Sequence, residues 1–373
     1  MSDRVAPSNI ARDGIDNFLL TNLNDMLKHS HARAAHGALS ALALYLALST
    51  GAAGAADDSA TESPTPQSAD RQSLDDAWWT GPIVAAGAAT LPQGHALIEP
   101  YVFDAITRGR YDSDGNYRST DTVHSYGSLT YMLYGVTDGF TAGVIPTFGF
   151  NDLDSGPDSS GVGVGDVTLQ AQWRLSQFRE GRRVPTSSLV LQQTLPTGKH
   201  DRLGTRLSDG LGAGAYTTSL ALHSQYYLWM PNGRILRTRL NIAYAVSDSV
   251  GVADASVYGT SQGFRGHADP GDTFSIYSAW EYSVTRTWVL ALDVFYQRDS
   301  NTRIRGTELA ANGEPERVPF RADSGSAWRF GLAPAIEYNW TSRVGVIVGA
   351  RWFAAGRNTS ASVTPVAAIN IVY

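Results

Sequence analysis

The sequence predicts an all-β protein: a transmembrane, up-and-down antiparallel β-barrel of about twelve strands, with short periplasmic turns and long external loops. Three observations predict it. From about His95 onward, apolar and polar residues alternate in segments of roughly ten, the period and length of a tilted membrane strand. The connections between these segments alternate between tight and long. Aromatic residues gather at the segment ends that the tight connections join.

The alternation divides one face suited to lipid from one suited to water. Val167, Leu169, Ala171, Trp173 and Leu175 oppose Asp166, Thr168, Gln170, Gln172 and Arg174. Likewise Leu240, Ile242, Tyr244 and Val246 oppose Arg239, Asn241, Ala243 and Ala245. Trp288, Leu290, Leu292 and Val294 oppose Ala291 and Asp293, and Trp328, Phe330, Leu332, Ile336 and Tyr338 oppose Arg329 and Glu337. A soluble sandwich alternates too, so the period alone does not separate the two.

Connection lengths do. Twelve segments are expected: 95–106, 123–134, 139–150, 165–175, 187–194, 214–228, 234–247, 272–284, 287–298, 327–338, 343–352 and 362–373. Those after even-numbered segments are tight (135–138, 229–233, 285–286, 339–342), with 176–186 longer. Those after odd-numbered segments are long and polar: 107–122, 151–163, 195–213, 248–271 and 299–326. Outer-membrane barrels have short periplasmic turns and long external loops, and an even strand count returns the C-terminus to the periplasm. Tyr134, Trp173, Trp229, Tyr282, Trp288, Tyr338, Trp340 and Tyr373 then form the periplasmic girdle. Pro100, Pro146, Pro334 and Pro365 fall inside segments, and each requires a bulge or an unpaired position because proline donates no ladder hydrogen bond.

Ahead of the barrel, the basic stretch holding Lys28 and Arg33 leads into the apolar run 38–48 and then small residues with Ala53 and Ala55 at signal-peptidase spacing. Residues 26–56 therefore read as a signal peptide that starts at Met26. Residues 1–25, which carry Asp3, Asp13, Asp16 and Asp25, read as an extension upstream of the true start, the alternative being a long n-region from Met1. Residues 57–80 read as a disordered acidic periplasmic linker and 81–373 as the barrel. The stretch 57–76 holds six acids against Arg71, and the whole chain carries −6. The 373 residues include no cysteine, which suits an oxidising compartment and excludes thiolate metal sites and cysteine nucleophiles. Nothing in the charge pattern suggests nucleic acid, and no cofactor or metal is expected.

Sites of chemistry are sparse. Gly161-Val162-Gly163-Val164-Gly165-Asp166 fails the dinucleotide pattern, having Asp where the last Gly belongs and no helix after it. Thr197-Gly198-Lys199 lacks the first Gly of a phosphate loop. Asp112-Ser113-Asp114-Gly115-Asn116 resembles half a calcium loop without its closing Glu. His223, with Ser219 and Gln225 on its polar face, is the best candidate for a membrane hydrolase, but no nucleophile signature accompanies it, so no catalytic residue is assigned. The polar faces do hold Arg174, Arg237, Arg239, Glu281, Asp293, Arg329, Glu337 and Arg351, with Glu99 also ionisable. Inside a barrel these line either a solute path or a set of ion pairs that fills the interior, and a lumen of about twelve strands, between filled small barrels and open porins, favours a narrow, partly plugged path.

Several motifs carry a family likeness. Leu91-Pro92-Gln93-Gly94-His95 with Glu99-Pro100-Tyr101-Val102-Phe103, Tyr134-Gly135-Val136-Thr137-Asp138, Gly163-Val164-Gly165-Asp166-Val167 and Leu195-Pro196-Thr197-Gly198 occur in that order. Together they resemble the outer-membrane β-barrel family named for a MetA pathway of phenol degradation, whose members are often called transporters. The resemblance runs from about residue 81 to the C-terminus, and implies a channel-like barrel with no catalytic residues to carry over.

The expected function is thus a non-enzymatic outer-membrane channel of a Gram-negative bacterium, admitting or releasing small, aromatic or hydrophobic solutes by passive diffusion. The rival readings are a membrane lipid hydrolase using His223 and a closed structural or adhesive barrel. Expected partners are outer-membrane lipid and the barrel-insertion machinery, with Tyr373 as the assembly signal: Ala367, Ile369, Ile371 and Tyr373 share the lipid-facing series of the last strand.

Overall fold

The computed structural model describes residues 71–310 and 316–373. The expected signal peptide, the segment upstream of it and residues 57–70 of the expected linker lie outside the described residues.

Twelve antiparallel strands form the barrel: β1 Ala96–Tyr111, β2 Tyr117–Thr137, β3 in two pieces (Phe140–Ile145 and Thr147–Leu153), β4 Val167–Ser176, β5 Thr186–Leu195, β6 Thr217–Trp229, β7 Ile235–Ser247, β8 Thr273–Ser283, β9 Trp288–Asp299, β10 Ala327–Asn339, β11 Val344–Arg357 and β12 Thr359–Val372. Each pairs with its sequence neighbours, and β1 pairs with both β2 and β12, so the sheet closes. Closure leaves no free edge, the condition for strands to cross lipid without stranding polar backbone groups.

The alternation has the predicted sense. Val102, Leu169, Trp173, Leu222, Leu290, Leu292, Ile336, Val348, Trp352 and Ile369 are exposed on the outward face. So large an apolar surface fits lipid, and would be an aggregation hazard on a soluble domain. The inward face holds Glu281, Asp293, Glu337, Asn241 and Thr364, all buried. At the short-turn end Trp288 lies against Tyr338 at a ring separation of 4.7 Å, Tyr338 against Trp340 at 5.3 Å and, on another part of the rim, Phe140 against Trp173 at 4.9 Å.

The prolines sit where ladders are interrupted. Pro146 divides β3. Pro100 and Pro365 both fall in gaps of the β1–β12 ladder, and Pro334 in a gap of the β10–β11 ladder, while each stays paired on its other side.

Two expectations need correction. The first is that several of the external connections are built from strands rather than irregular loops. β1 and β2 run past the expected loop at 107–122 to a turn at Asp112–Asn116, and β11 and β12 meet at Asn358, whose φ is 50°. The loops after β7 and β9 build a second, four-stranded sheet from Val250–Ala253, Arg265–Asp269, Arg303–Leu309 and Arg317–Asp323. Outside the bilayer no lipid enforces alternation, so these strands leave no clean period. The second correction concerns residues 71–80, read as the end of a disordered linker: they are packed into the barrel mouth. The acids of that stretch drew the reading toward disorder, whereas Gln72, Trp78 and Trp79 find partners on strands far away in sequence.

Candidate functional site

The N-terminal stretch from Arg71 to His95 fills the half of the lumen nearer the short turns. It enters beside the turns at 230–234 and 284–287: Gln72 N–H donates to the Gly233 carbonyl (3.0 Å), and Trp229 Nε1 donates to the Gln72 carbonyl (2.8 Å). Arg71 covers the Trp229 ring at 4.0 Å, Arg286 the Trp78 ring at 4.4 Å and Arg237 the Trp79 ring at 4.4 Å. The segment leaves at the same end, where Gly94 N–H donates to the Gly135 carbonyl (2.8 Å) and Gly135 N–H to that of His95 (2.9 Å). It is a plug that turns back inside the barrel.

The middle of the plug, Thr80 to Ala89, has no strand of its own to pair with, so its backbone groups must find lumen side chains or stay unsatisfied at a cost of roughly 1–3 kcal/mol each. The carboxylates stand on one wall. Glu337 on β10 accepts from Thr80 N–H (2.7 Å) and Gly81 N–H (3.1 Å). Asp293 on β9 accepts from the N–H groups of Ile83 (3.0 Å), Val84 (3.3 Å) and Ala85 (2.9 Å). Donors stand on the other wall. Arg239 Nη1 reaches the Ala85 carbonyl (2.9 Å), Asn241 Nδ2 that of Ala86 (2.9 Å), Ser188 that of Ala88, and Gln172 Nε2 those of Gly87 and Ala89 (both 3.3 Å). His223 Nδ1 lies 3.4 Å from the Gly87 carbonyl. The run Ala85-Ala86-Gly87-Ala88-Ala89 is small enough for the chain to thread between these walls.

Below this, Glu281 on β8 is clamped by both Arg237 and Arg239 of β7, the latter with Nε at 2.9 Å. On the external side of the plug, Arg329 pairs with Asp299 (2.6 Å), and Arg351 lies over the Phe353 ring at 5.1 Å. Of the eight candidate lumen residues, seven are buried inside the barrel, and Arg174 stands half-buried toward its short-turn rim. The sequence left both a path and a filled interior possible, with a narrow, partly plugged path favoured. Glu281, Arg237, Arg239, Asp293 and Glu337 brace the plug and its wall. His223 belongs to the same scaffold, and Ser219 makes no contact that would render it a nucleophile partner. The sequence favoured a partly plugged lumen but did not show which segment plugs it, and so gave no role to Gln172, Ser188, Asn241 and Asn339, which hold it.

Beside the plug a cavity of about 170 Å³ remains against the β12–β1–β2 wall. Leu97, Tyr101, Tyr131, Leu133 and Ile83 supply its apolar lining, and Glu99, Gln170, Gln172, Arg239 and Asn370 its polar groups. Glu99 is fixed by Asn370 Nδ2 at 3.2 Å.

The four sequence motifs are ties between loops. At the plug end, Gln93 N–H donates to Asp138 Oδ1 (2.9 Å), and Thr90 Oγ1 to the Asp138 carbonyl (2.6 Å), joining the first motif to the second. At the external end, Asp166 accepts from Gly198 N–H (2.9 Å) and Ala213 N–H (2.7 Å), while Thr197 Oγ1 donates to the Gly165 carbonyl (2.8 Å), joining the third to the fourth. Burial raises the Asp166 carboxyl above its ordinary range, partly offset by these backbone donors. Asp112, the suspected calcium ligand, instead accepts from the N–H groups of Asp114 (3.0 Å) and Asn116 (2.9 Å) within its turn. No group of side chains suited to a metal ion occurs among the described residues.

A Cβ on Gly135 would lie 2.1 Å from the Pro92 carbonyl oxygen. Gly135→Val is expected to part the plug exit from the β2–β3 turn, costing about 1–3 kcal/mol. Limited proteolysis of the folded protein should then cut between Leu91 and His95 several times faster than in the parent.

Residues 101–363 match the family model described as "Putative MetA-pathway of phenol degradation". Among solved structures, an outer membrane channel from Pseudomonas putida F1 is 16% identical, covering 78% of this chain and 100% of its own, with a TM-score of 0.60. That likeness shows the barrel fold. The β domain of the Bordetella autotransporter BrkA (10% identical, 75% and 100% covered) gives 0.40, and the Pseudomonas putida toluene transporter TodX (12% identical, 75% and 90% covered) gives 0.33. No curated protein matches the chain.

Proposed function

This chain belongs to the family described as "Putative MetA-pathway of phenol degradation", and from that premise we propose that it is an outer-membrane channel whose plug restricts passage to small, single-ring or similarly compact hydrophobic solutes. The cavity beside the plug carries this reading. At about 170 Å³ it is close to the roughly 150 Å³ of an apolar cavity known to take up benzene. Tyr101 and Tyr131 offer ring contacts, and Glu99, Gln170 and Asn370 offer partners for a hydroxyl. A solute would diffuse through the external half of the lumen, rest in this cavity and leave past the plug as the segment shifts, with no energy input. The chain is read as exported through residues 26–56 and resident in the outer membrane of a Gram-negative bacterium.

Liposomes containing the purified protein should take up phenol-sized solutes faster than protein-free vesicles and show no gain for disaccharides. Equal permeability of the two vesicle types to every compact solute would end the proposal. Lipid hydrolysis finds no support in the geometry around His223, and the cavity favours transport over a closed structural barrel.

Tyr373 is proposed as the signal read by the insertion machinery. It is exposed on the lipid-facing series, and its N–H donates to the Ala96 carbonyl (2.9 Å) where the barrel closes. Deleting it should lower the amount of membrane-inserted, heat-modifiable protein several-fold, while Tyr373→Phe, which keeps the ring, should not.

A further inference from the structure

The external four-stranded sheet has two unlike faces. Its strands run in the order Val250–Ala253, Arg265–Asp269, Arg303–Leu309, Arg317–Asp323. Val250, Val252, Ala268, Ile304, Phe320 and Ala322 pack on Phe264, Tyr258 and Leu203, and so form the covered face.

The register fixes what the opposite face presents. Gly251, His267, Arg305 and Arg321 are direct cross-strand partners and form one row. Asp269, Arg303 and Asp323 form the row on one side, and Arg265 and Thr307 belong to the row on the other. Arg265, His267, Arg303, Arg305 and Arg321 are all exposed. Among the described residues, the ion pair on this face is Arg303 with Asp323, at 4.0 Å. Arg317, at the edge of this face, donates to Thr307 and to the Gly263 carbonyl.

Like charges directly opposite one another on neighbouring strands repel and destabilise the pairing. Arg305 and Arg321 stand so, with His267 beside them. The chain as a whole carries −6, so this cluster does not follow from a generally basic composition. With strands about 4.8 Å apart and alternate residues about 6.8 Å apart, Arg265, Arg305 and Arg321, apart from the Arg303 that pairs with Asp323, span roughly 10 by 7 Å, the scale of a phosphorylated disaccharide. Planar guanidinium forks match phosphate oxygens bidentately. The sheet is built from the connections after β7 and β9, at the long-loop end of the barrel, the end that faces the outer leaflet when the short turns face the periplasm.

We propose that this face binds the phosphorylated sugar headgroup of lipopolysaccharide, holding the external loops against the outer leaflet. The binding is electrostatic and independent of whatever solute the lumen carries.

The test uses the full chain in phosphatidylcholine nanodiscs, titrated with fluorescent deep-rough lipopolysaccharide and with the same lipid after enzymatic dephosphorylation. The parent should bind the phosphorylated form, weaken steeply with salt, and lose at least tenfold in affinity on dephosphorylation. R305Q/R321Q should lose about tenfold for the phosphorylated form while keeping heat-modifiability and solute flux. Millimolar inorganic pyrophosphate should displace little of the bound lipid. Equal affinity for the two lipids, equal affinity of a folded R305Q/R321Q protein, or full displacement by pyrophosphate would each overturn the assignment. If that variant fails to insert, the dephosphorylation and salt arms on the parent decide it alone.

Discussion

Replacing Asp293 by Asn, together with Glu337 by Gln, is expected to open the barrel. Asp293 is buried and accepts from three successive plug N–H groups, and Glu337 accepts from two more. An amide keeps the shape but replaces one acceptor oxygen with an NH2 that faces other donors. A buried donor left without its acceptor costs about 1–3 kcal/mol, and a net loss of about 3 kcal/mol shifts the displaced-plug population roughly a hundredfold. Single-channel recording should show longer and larger openings in the double variant than in the parent. The barrel itself should stay intact, because its wall is held by strand ladders that do not involve these side chains. Unchanged conductance with an unchanged fold would mean that the carboxylates do not hold the plug.

Replacing Glu281 by Ala should have the opposite character: little gating, large loss of stability. Glu281 lies buried between Arg237 and Arg239, and its removal leaves two buried guanidinium groups without their shared anion. Breaking a buried ion pair by deleting one partner costs about 3–5 kcal/mol. Urea unfolding of the reconstituted barrel should shift its midpoint accordingly. Arg237→Leu combined with Glu281→Leu removes both signs of charge and should cost less than Glu281→Ala, because Arg239 still has the Ala85 carbonyl. An equal or greater loss in the double variant would contradict the role given to the triad.

Much of the barrel was legible because lipid imposes a binary choice on every residue of a spanning strand. Leu169 and Trp173 could face only outward, and Gln172 only inward, so strand number, direction and girdle follow from period and connection length. Where water lies on both sides, that constraint vanishes. Residues 303–309 show one deeply buried side chain, Ile304, in a run otherwise acceptable as a loop.

The segment that forms the plug was illegible for a different reason. It is held largely through its own backbone groups, which carry no side-chain signature, and its partners lie far off in sequence, as Ser283 does from Gln72. The clue was indirect: ionisable residues such as Asp293 and Glu337 stood on inward faces of strands with no opposite charge at the matching register. Such carboxylates call for donors from elsewhere, and an Ala- and Gly-rich stretch just before the first strand could have supplied them. The family motifs were recognisable as a set, but their pairing into two ties needed coordinates.

The N-terminal segment occupies the lumen, and thiol accessibility can verify this because the chain has no cysteine of its own. Ala88 is buried against the wall, and Asp75 is exposed near the barrel mouth. In the inserted protein, a membrane-impermeant maleimide should modify Ala88→Cys orders of magnitude more slowly than Asp75→Cys, and the Asp293→Asn, Glu337→Gln background should narrow that gap. Equally fast labelling at both positions in the otherwise unaltered barrel would contradict the account.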